Sequence, residues 1–295
     1  GMTSPSRSAR YGGAMMSGPN LTSGLTSSAG RRARAIDLDD LDGPDAGDLA
    51  SLADLGDAPQ PSPVDMVVFD IGNVLVRWEP RAALLDAVGE DAATALLTDP
   101  ELDFFAHNLA ADGGRAWREI VAEIDERHPH HTAAAQAYID NFHLAIADPI
   151  AGSVAIVREL AEAGVPLFAL TNFSAELFEV ARSLHGDVLD LFEEIIVSGE
   201  EGVTKPDPEI WEILEEVTRH RGGLSDAVFI DDSAANVMGA EQAGLDAILF
   251  TDPDTLRDDL RLRGLPLEPS AGPRQTSAGV SETPDGTAGA GAAQH

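Results

Sequence analysis

Residues 66–74 of the chain are Met66-Val67-Val68-Phe69-Asp70-Ile71-Gly72-Asn73-Val74. The first four are apolar, two of them β-branched and one aromatic, as expected for a strand buried on both faces of a parallel sheet. An acidic residue, Asp70, follows directly. Because ligands bind at the carboxyl ends of the strands in open parallel sheets, Asp70 is the first candidate for a functional residue.

Four further apolar runs follow along the chain, separated by segments with the periodicity of amphipathic helices. We expect strands at 165–170, 195–197, 227–230 and 247–250, and helices such as 154–163, 175–184 and 208–220. Strands alternating with helices predict an α/β fold, a doubly wound parallel sheet with helices on both faces.

The long interval between the first two predicted strands has a helical pattern and no strand candidate, so it indicates an inserted helical subdomain. We therefore expect an α/β core at 63–80 and 148–266, with the helical insert at 81–147. The flanks, 1–62 and 267–295, contain few large apolar residues and are expected to be disordered tails.

The composition excludes several classes of partner. The chain has 51 acidic and 19 basic residues and a net charge of −32, which disfavours binding to nucleic acid or to anionic membranes. It has no cysteine, so disulfides and thiolate metal sites are excluded. Without an apolar run of roughly 20 residues or the apolar core of a signal peptide, a cytoplasmic protein is expected by default. We expect it to be a monomer or a homodimer.

Lys205 is the only lysine in the chain, and all other basic residues apart from histidine are arginines. An ammonium is a compact charge on a thin stem, whereas a guanidinium is a planar fork, so the two do not replace each other in a tight site. Lys205 follows the third predicted strand. It is either a chance survivor on a loop or a group retained for anionic chemistry.

Polar side chains follow four of the predicted strands, namely Asp70, Thr171-Asn172, Lys205 and Asp231-Asp232. Converging carboxylates would bury negative charge unless a cation lay between them, and Mg²⁺ prefers such oxygen ligands. The cation and the ammonium would neutralise a phosphoryl group, whose phosphorus a carboxylate could attack to form an aspartyl-phosphate. The alternative for the acidic pair is capping of the following helix.

The four motifs together resemble the haloacid dehalogenase (HAD) superfamily, specifically its phosphatase branch with a helical cap inserted after the first strand. They occur in the family's order over roughly residues 64–265: Phe69-Asp70-Ile71-Gly72-Asn73-Val74-Leu75, Leu170-Thr171-Asn172-Phe173-Ser174, Lys205-Pro206-Asp207-Pro208 and Phe229-Ile230-Asp231-Asp232-Ser233-Ala234-Ala235-Asn236. The resemblance implies a Rossmann-like core and a Mg²⁺-dependent phosphomonoesterase acting on a small phosphorylated metabolite.

The resemblance also implies a role for each motif residue in phosphoryl transfer. Asp70 would be the nucleophile and would form the aspartyl-phosphate. Thr171 and Asn172 would hold the phosphate, and Lys205 would bridge the phosphate and Asp70.

For the metal, the resemblance implies a site formed by four residues. Asp70 and Asp232 would bind Mg²⁺ through carboxylates and Gly72 through its backbone carbonyl. Asp231 would lie farther from the ion or reach it through a water molecule.

Gly72 is a departure from the common family pattern, which has a second aspartate there to protonate the leaving group. General acid catalysis is typically worth about 10² to 10⁴ in rate. Phosphatases similar to this sequence, with an Asp-x-Gly-Asn-Val motif, act on sugar phosphates, including sugar 1-phosphates with comparatively good leaving groups. A sugar phosphate is therefore the expected substrate, and what replaces the missing acid is an open question.

Side chains near the first motif and in the insert are candidates for substrate contact: Trp78, Phe104, Phe105, His107, Trp117 and Arg118. Packing within a helical bundle is the preferred interpretation for each aromatic residue.

Two other functions remain open. In a metal-free dehalogenase Asp70 would attack carbon, and the Asp231-Asp232 pair would then be a liability. A non-catalytic protein that binds phosphorylated ligands is the third alternative, against which stands the retention of the nucleophile, the threonine, the lysine and the acidic pair.

Overall fold

The computed structural model describes residues 61–270 of the 295-residue chain. Nearly all of the two tails predicted at 1–62 and 267–295 therefore lies outside the described residues. Within the described part, none of the helices is both long and apolar enough to cross a membrane.

Within residues 61–270, five parallel strands form a single sheet in the order β3-β2-β1-β4-β5. They are β1 (Met66–Phe69), β2 (Leu167–Thr171), β3 (Glu194–Val197), β4 (Ala227–Asp231) and β5 (Asp246–Leu249). Each lies within one or two residues of an apolar run in the sequence. The predicted doubly wound α/β fold is confirmed.

The register of the central strand brings the candidate residues together. In β1, Val68 lies opposite Phe168 of β2 and Phe229 of β4. Since all three strands run in the same direction, their carboxyl ends meet at one edge. The Asp70 N–H donates to the carbonyl of Ile230 at 2.9 Å, which places Asp70 beside the acidic end of β4.

In the part of the chain that the structure describes, five helices follow β1, and six more come after them, the first of which leads into β2. The first group is α1 (Leu85–Thr98), α2 (Phe104–Asp112), α3 (Trp117–Arg127), α4 (Thr132–Asp140) and α5 (Phe142–Ala145). The second is α6 (Ala151–Glu162), α7 (Ala175–Leu189), α8 (Ser198–Glu201), α9 (Pro208–Thr218), α10 (Ala234–Gln242) and α11 (Pro253–Leu262). Short 3-10 turns occur at Pro80–Ala83, Pro129–His131, Arg219–Arg221 and Leu224–Asp226. We call the segment from α1 to α5 the helical insertion; the domain boundaries expected at 81 and 147 stay a prediction.

The sheet is buried on both faces, and β1 shows how the sequence achieves this. Successive side chains of a strand point to opposite faces. Val67 and Phe69 pack into the larger apolar cluster, which includes the helical insertion, whereas Met66 and Val68 pack into the smaller one against α9. A fully buried side chain of this size contributes about 1.5–3 kcal/mol. An all-apolar strand is the pattern that two covered faces require.

Candidate active site

Asp70 lies at the centre of the site, just beyond the end of β1. Its Oδ1 accepts a hydrogen bond from the Ile71 N–H at 2.7 Å and lies 3.0 Å from Lys205 Nζ. Burial raises the pKa of Asp70 to about 7; the Lys205 ammonium opposes that rise, and the nearby Asp231 carboxylate adds to it. A carboxylate this deeply buried is set up to be ionised by a cation bound next to it.

Lys205 lies between two carboxylates, and its side chain is almost fully buried. Nζ is 3.0 Å from Asp70 Oδ1, donates to Asp231 Oδ2 at 2.7 Å and donates to the Leu170 carbonyl at 3.0 Å. These three acceptors match the three N–H bonds of an ammonium. Burial lowers the pKa of Lys205, but Asp70 and Asp231 outweigh burial and the net pKa is raised. The only lysine is therefore a charged link between β1 and β4.

Asp231, the last residue of β4, is fully buried and held from three sides. Besides Lys205, the Ser233 N–H donates to its Oδ1 at 2.8 Å, and Asn236 Nδ2 lies 3.1 Å from both carboxylate oxygens. These bonds already engage both oxygens. Asp231 is thus suited to holding Lys205 and the β4–α10 turn in place.

Asp232 is the more exposed member of the acidic pair and lines the cavity described below. Burial raises the pKa of Asp232, and Asp231 adds to the rise; Lys205 and a hydrogen bond from the Asn73 side chain act in the opposite direction. One carboxylate oxygen each from Asp70, Asp231 and Asp232 lies within 4.8 Å of the others. An all-oxygen donor set at this spacing fits a hard divalent cation.

Gly72 lines the cavity within the turn after β1. Apart from its two chain neighbours, no described residue has an atom within 4 Å of the position that a Cβ at Gly72 would occupy. Its neighbour Asn73 has a φ of 56°, in the left-handed region where asparagine is better tolerated than most residues. Asn73 Oδ1 accepts from the Trp78 N–H at 3.0 Å, which stabilises the turn.

Thr171 and Asn172, at the end of β2, have different environments. Asn172 lines the cavity, but its carboxamide is engaged with the backbone of Lys205: Oδ1 accepts from the Lys205 N–H at 2.8 Å and Nδ2 donates to its carbonyl at 3.0 Å. Thr171 is buried and, within residues 61–270, is not part of the cavity lining. Phosphate binding by either side chain stays a prediction.

A cavity of about 210 Å³ opens above these residues, between the sheet edge and the helical insertion. Its floor is polar, with Asp70, Asp232 and Lys205. Its walls are mainly apolar and come from the loop after β1, from the insertion and the residue after it, from the loop after β2 and from α7: Val76, Trp78, Tyr138, Phe142, Ile146, Phe173, Leu177, Ala181 and Leu189. The cavity can therefore hold an anionic group at the floor and an apolar group at the walls.

One further carboxyl group, Asp112, lines the cavity from the end of α2. Asn108 Nδ2 lies 3.1 Å from its Oδ2, and the Ser174 N–H donates to the same carboxylate. Burial raises the pKa of Asp112 to about 7, although the Ser174 hydrogen bond and the Lys205 charge act to lower it. The sequence offered no motif at this position.

Asn108 belongs to a hydrogen-bonded chain that crosses the cavity wall. Trp78 Nε1 lies 3.2 Å from the Tyr138 hydroxyl, which donates to Asn108 Oδ1 at 3.2 Å. Because Asn108 then donates to Asp112, three separate segments of the chain fix this carboxyl group.

The candidates for substrate contact divide into two groups. Trp78 lines the cavity, whereas Phe104 and Trp117 are buried in the core and pack around Tyr138. Phe105 and Arg118 are exposed and, among the residues described, do not contribute to the cavity lining; the same is true of His107. Core packing, the preferred interpretation, accounts for Phe104 and Trp117.

Three side chains of types that can ligate a metal, Asp99, His130 and His131, lie close together in the helical insertion. His131 is buried, and its Nε2 lies 2.8 Å from Asp99 Oδ2. The hydrogen bond to His131 lowers the pKa of Asp99. This pair ties the end of α1 to the turn before α4, and packing explains it without an ion.

Comparison of the sequence with models of known protein families identifies the family. Residues 64–244 match the family model of haloacid dehalogenase-like hydrolases. The chain belongs to this family of hydrolases, as the four motifs predicted.

Individual relatives place the chain beside phosphatases. It is 27% identical over 195 residues to a sesquiterpene phosphatase of Aspergillus oryzae, covering 63% of this chain and 89% of that protein. It is 25% identical over 201 residues to a glyceraldehyde 3-phosphate phosphatase of Methanopyrus kandleri, covering 62% and 82%. A HAD family enzyme of Bacteroides thetaiotaomicron, solved as a magnesium complex, superimposes with a TM-score of 0.51 at 18% identity, covering 65% of this chain and 95% of that one. The last similarity supports the fold alone.

Proposed function

We propose that the protein is a Mg²⁺-dependent phosphomonoesterase that works through an aspartyl-phosphate on Asp70. The observation that carries the proposal is the convergence of Asp70, Asp232 and Lys205 at the floor of one cavity. The two phosphatase relatives support the reaction class.

In this mechanism Lys205 orients the nucleophile. The ammonium and the Ile71 N–H both contact Asp70 Oδ1, which leaves Oδ2 without a partner among the described residues. Oδ2 is therefore the oxygen that attacks phosphorus. Because the ammonium is anchored on Asp231 and Leu170, it neutralises charge without moving.

Asp70, Asp232 and the Gly72 carbonyl would hold Mg²⁺, with Asp231 behind them. A bound Mg²⁺ supplies positive charge for the phosphate oxygens and relieves the repulsion among the three carboxylates. Asn172 keeps Lys205 in place, and Thr171 is proposed to stabilise the phosphate site from the end of β2.

The helical insertion is proposed to act as a cap. Asn108, Asp112, Tyr138 and Phe142 reach the cavity from α2, α4 and α5, so they lie over the sheet edge. A cover of this kind excludes water from a reactive phosphoenzyme and contributes the contacts that select the substrate.

The substrate is proposed to be a small phosphorylated metabolite, and two classes are supported. The Asp-x-Gly-Asn-Val motif and the glyceraldehyde 3-phosphate phosphatase favour a sugar phosphate. The apolar walls formed by residues such as Phe142, Leu177 and Leu189, together with the sesquiterpene phosphatase, favour an ester with an apolar organic group. A cytoplasmic monomer or homodimer stays the prediction from the sequence.

The test is phosphate release from a panel of esters, with and without Mg²⁺. The panel contains p-nitrophenyl phosphate, glucose 1-phosphate, glyceraldehyde 3-phosphate and a farnesyl monophosphate. We expect turnover that requires Mg²⁺ and is lost in Asp70→Asn, while Asp187→Asn, an exposed change on α7, retains it. A folded protein that releases no phosphate from any ester would overturn the proposal, and a 2-haloacid would then be tested for Asp70 attack on carbon.

A further inference from the structure

The starting point is the acid that position 72 does not supply. An alkoxide is a poor leaving group, so its departure from phosphorus needs a proton. Gly72 has no side chain to give one, and Asn73 next to it is an amide engaged with Trp78 and Asp232. A proton donor for the leaving group must come from elsewhere in the cavity.

We propose that Asp112, at the end of α2, is the general acid of this site, supplied by the helical insertion in place of the missing aspartate at position 72. The inference rests on the proposed phosphomonoesterase function. It assigns a catalytic role to a residue outside the four motifs.

The geometry places the Asp112 carboxyl group over the same cavity as Asp70. Two serines hold it there: the Ser174 N–H donates to its carboxylate, and Ser198 Oγ donates to its backbone carbonyl at 2.6 Å. Ser174 and Ser198 follow β2 and β3, so the position of Asp112 is fixed relative to the edge that carries Asp70.

The protonation state suits an acid at neutral pH. Burial raises the pKa of Asp112 to about 7, so a large fraction of the carboxyl groups carry a proton there. The titratable groups that face the same cavity are Asp70, Asp232, Lys205, Tyr138 and His185. The effect of Lys205 on Asp112 is to lower its pKa, and burial outweighs it.

The proposed step balances as follows. Asp70 Oδ2 forms a bond to phosphorus while the bond from phosphorus to the ester oxygen breaks. The electron pair of that bond goes to the ester oxygen, which takes the proton from Asp112 and leaves as an alcohol. The Asp112 carboxylate then takes a proton from a water molecule that attacks phosphorus, and the bond to Asp70 breaks to release phosphate.

The open space at Gly72 provides a matched rescue. Because no described atom outside the two chain neighbours lies within 4 Å of a Cβ there, the turn has room for the first side-chain atom of the Gly72→Asp variant. A carboxyl group restored at position 72 replaces the acid function but not the contacts of Asp112 with Asn108 and Ser174. Recovery of activity in the double variant would therefore show that Asp112→Asn had lost proton donation and not support of the cavity wall.

The experiment compares the first turnover of two esters in the full chain with Mg²⁺. One is p-nitrophenyl phosphate, whose leaving group is stable as an anion; the other is a primary alkyl phosphate. In Asp112→Asn we expect release of the alcohol to slow by about 10² to 10⁴, while the burst of p-nitrophenolate is retained. Asp112→Asn/Gly72→Asp should recover part of the alcohol release, and Glu126→Gln on α3 should match the wild type.

Equal losses on both esters, or no loss on either, would overturn the role of Asp112. Absence of turnover in the wild-type chain would instead overturn the phosphatase proposal itself. Should Asp112→Asn fail to fold, Asp112→Glu and the wild-type pH profile decide the matter. Alcohol release must then fall as the pH rises through about 7 while the p-nitrophenolate burst does not, since only the first reaction needs the proton.

Discussion

Asn172 pairs with both backbone polar groups of Lys205, accepting from its N–H at 2.8 Å and donating to its carbonyl at 3.0 Å. The Asn172 side chain thus makes the same pair of hydrogen bonds to the Lys205 backbone, 33 positions away, that a neighbouring strand would make. The clamp brings the loop after α8 to the end of β2, where the ammonium reaches Asp70 and Asp231.

Asn172→Ala should therefore impair both stability and catalysis. Leaving partners unsatisfied in a partly buried pair costs about 1–3 kcal/mol, measurable by urea unfolding. Without this clamp Lys205 should also move away from Asp70, which should lower kcat for p-nitrophenyl phosphate by about tenfold or more. A tenfold loss corresponds to a rise of about 1.4 kcal/mol in the activation free energy. The control is Asn141→Ala, which loses one side-chain hydrogen bond to the Ala137 carbonyl in α4 and should lower stability only.

Removing the charge of Lys205 should be costly to the fold. Lys205→Met leaves Asp70 and Asp231 buried without their cation, and breaking a buried pair in this way typically costs about 3–5 kcal/mol. Urea unfolding at pH 7 measures the loss. Arg158→Met breaks an exposed ion pair with Asp187 and should cost no more than about 1 kcal/mol; equal losses in the two variants would contradict a central role for the ammonium.

Mg²⁺ should stabilise the folded protein, because it relieves the repulsion among three carboxylates. At a concentration one hundred times its Kd, a ligand that binds only the folded state adds about 2.7 kcal/mol, or about 5–10 °C in Tm for a domain of this size. Differential scanning calorimetry should show this rise in the wild type and in Glu126→Gln. Asp232→Asn should show a much smaller one, and an unchanged response there would argue against Asp232 as a ligand.

The raised pKa of Asp112 predicts a particular dependence of stability on pH. Its ordinary pKa is 3.8 and its folded value is about 7, so between these values the folded state holds a proton that the unfolded state has lost. Its contribution to the free energy of unfolding is thus fully present below pH 3.8 and is lost as the pH rises towards 7. The difference in stability between Asp112→Asn and the wild type should shift in favour of the variant across that interval, and a constant difference would show that the pKa is not raised.

The apolar walls can be tested by filling them. Ala181 is buried on α7 and lines the cavity, so Ala181→Phe places a ring where the organic group of the substrate would lie. We expect kcat/KM for a farnesyl monophosphate to fall more than that for glyceraldehyde 3-phosphate. Ala95→Phe, an exposed change in α1, serves as the control; an unchanged ratio between the two esters would place the organic group elsewhere.

The fold and the polar floor of the cavity could be predicted from sequence patterns because both depend on where buried strands end. Buried parallel strands are short and apolar, as in Met66–Phe69, and the polar residue that ends each one must lie at the carboxyl edge of the sheet. The sequence alone therefore brings Asp70 and Asp232 to one edge of the sheet and places Lys205 on the loop that follows β3.

The walls of the site could not be placed in the same way. Asp112 ends an ordinary helix, and its position over Asp70 depends on how α2 packs against Ser174 and Ser198, long-range contacts that no local pattern encodes. For Asn172, the sequence predicted the position of the residue but not its hydrogen bonds. Its location at the edge was predictable, but its engagement with the Lys205 backbone depends on the path of a loop.

The burial of Lys205 gives this chain an unusual chemical handle. Since no other lysine side chain exists and Lys205 is 3% exposed, a reagent directed at lysine amines has a single side chain to modify, and that side chain is buried. The rate of acylation of Lys205, followed by mass spectrometry of the peptide that contains it, then reports how often the site opens transiently. Ligands that bind in the cavity and reduce this opening will lower the acylation rate, whatever their identity. Binding can therefore be screened without a chromogenic substrate.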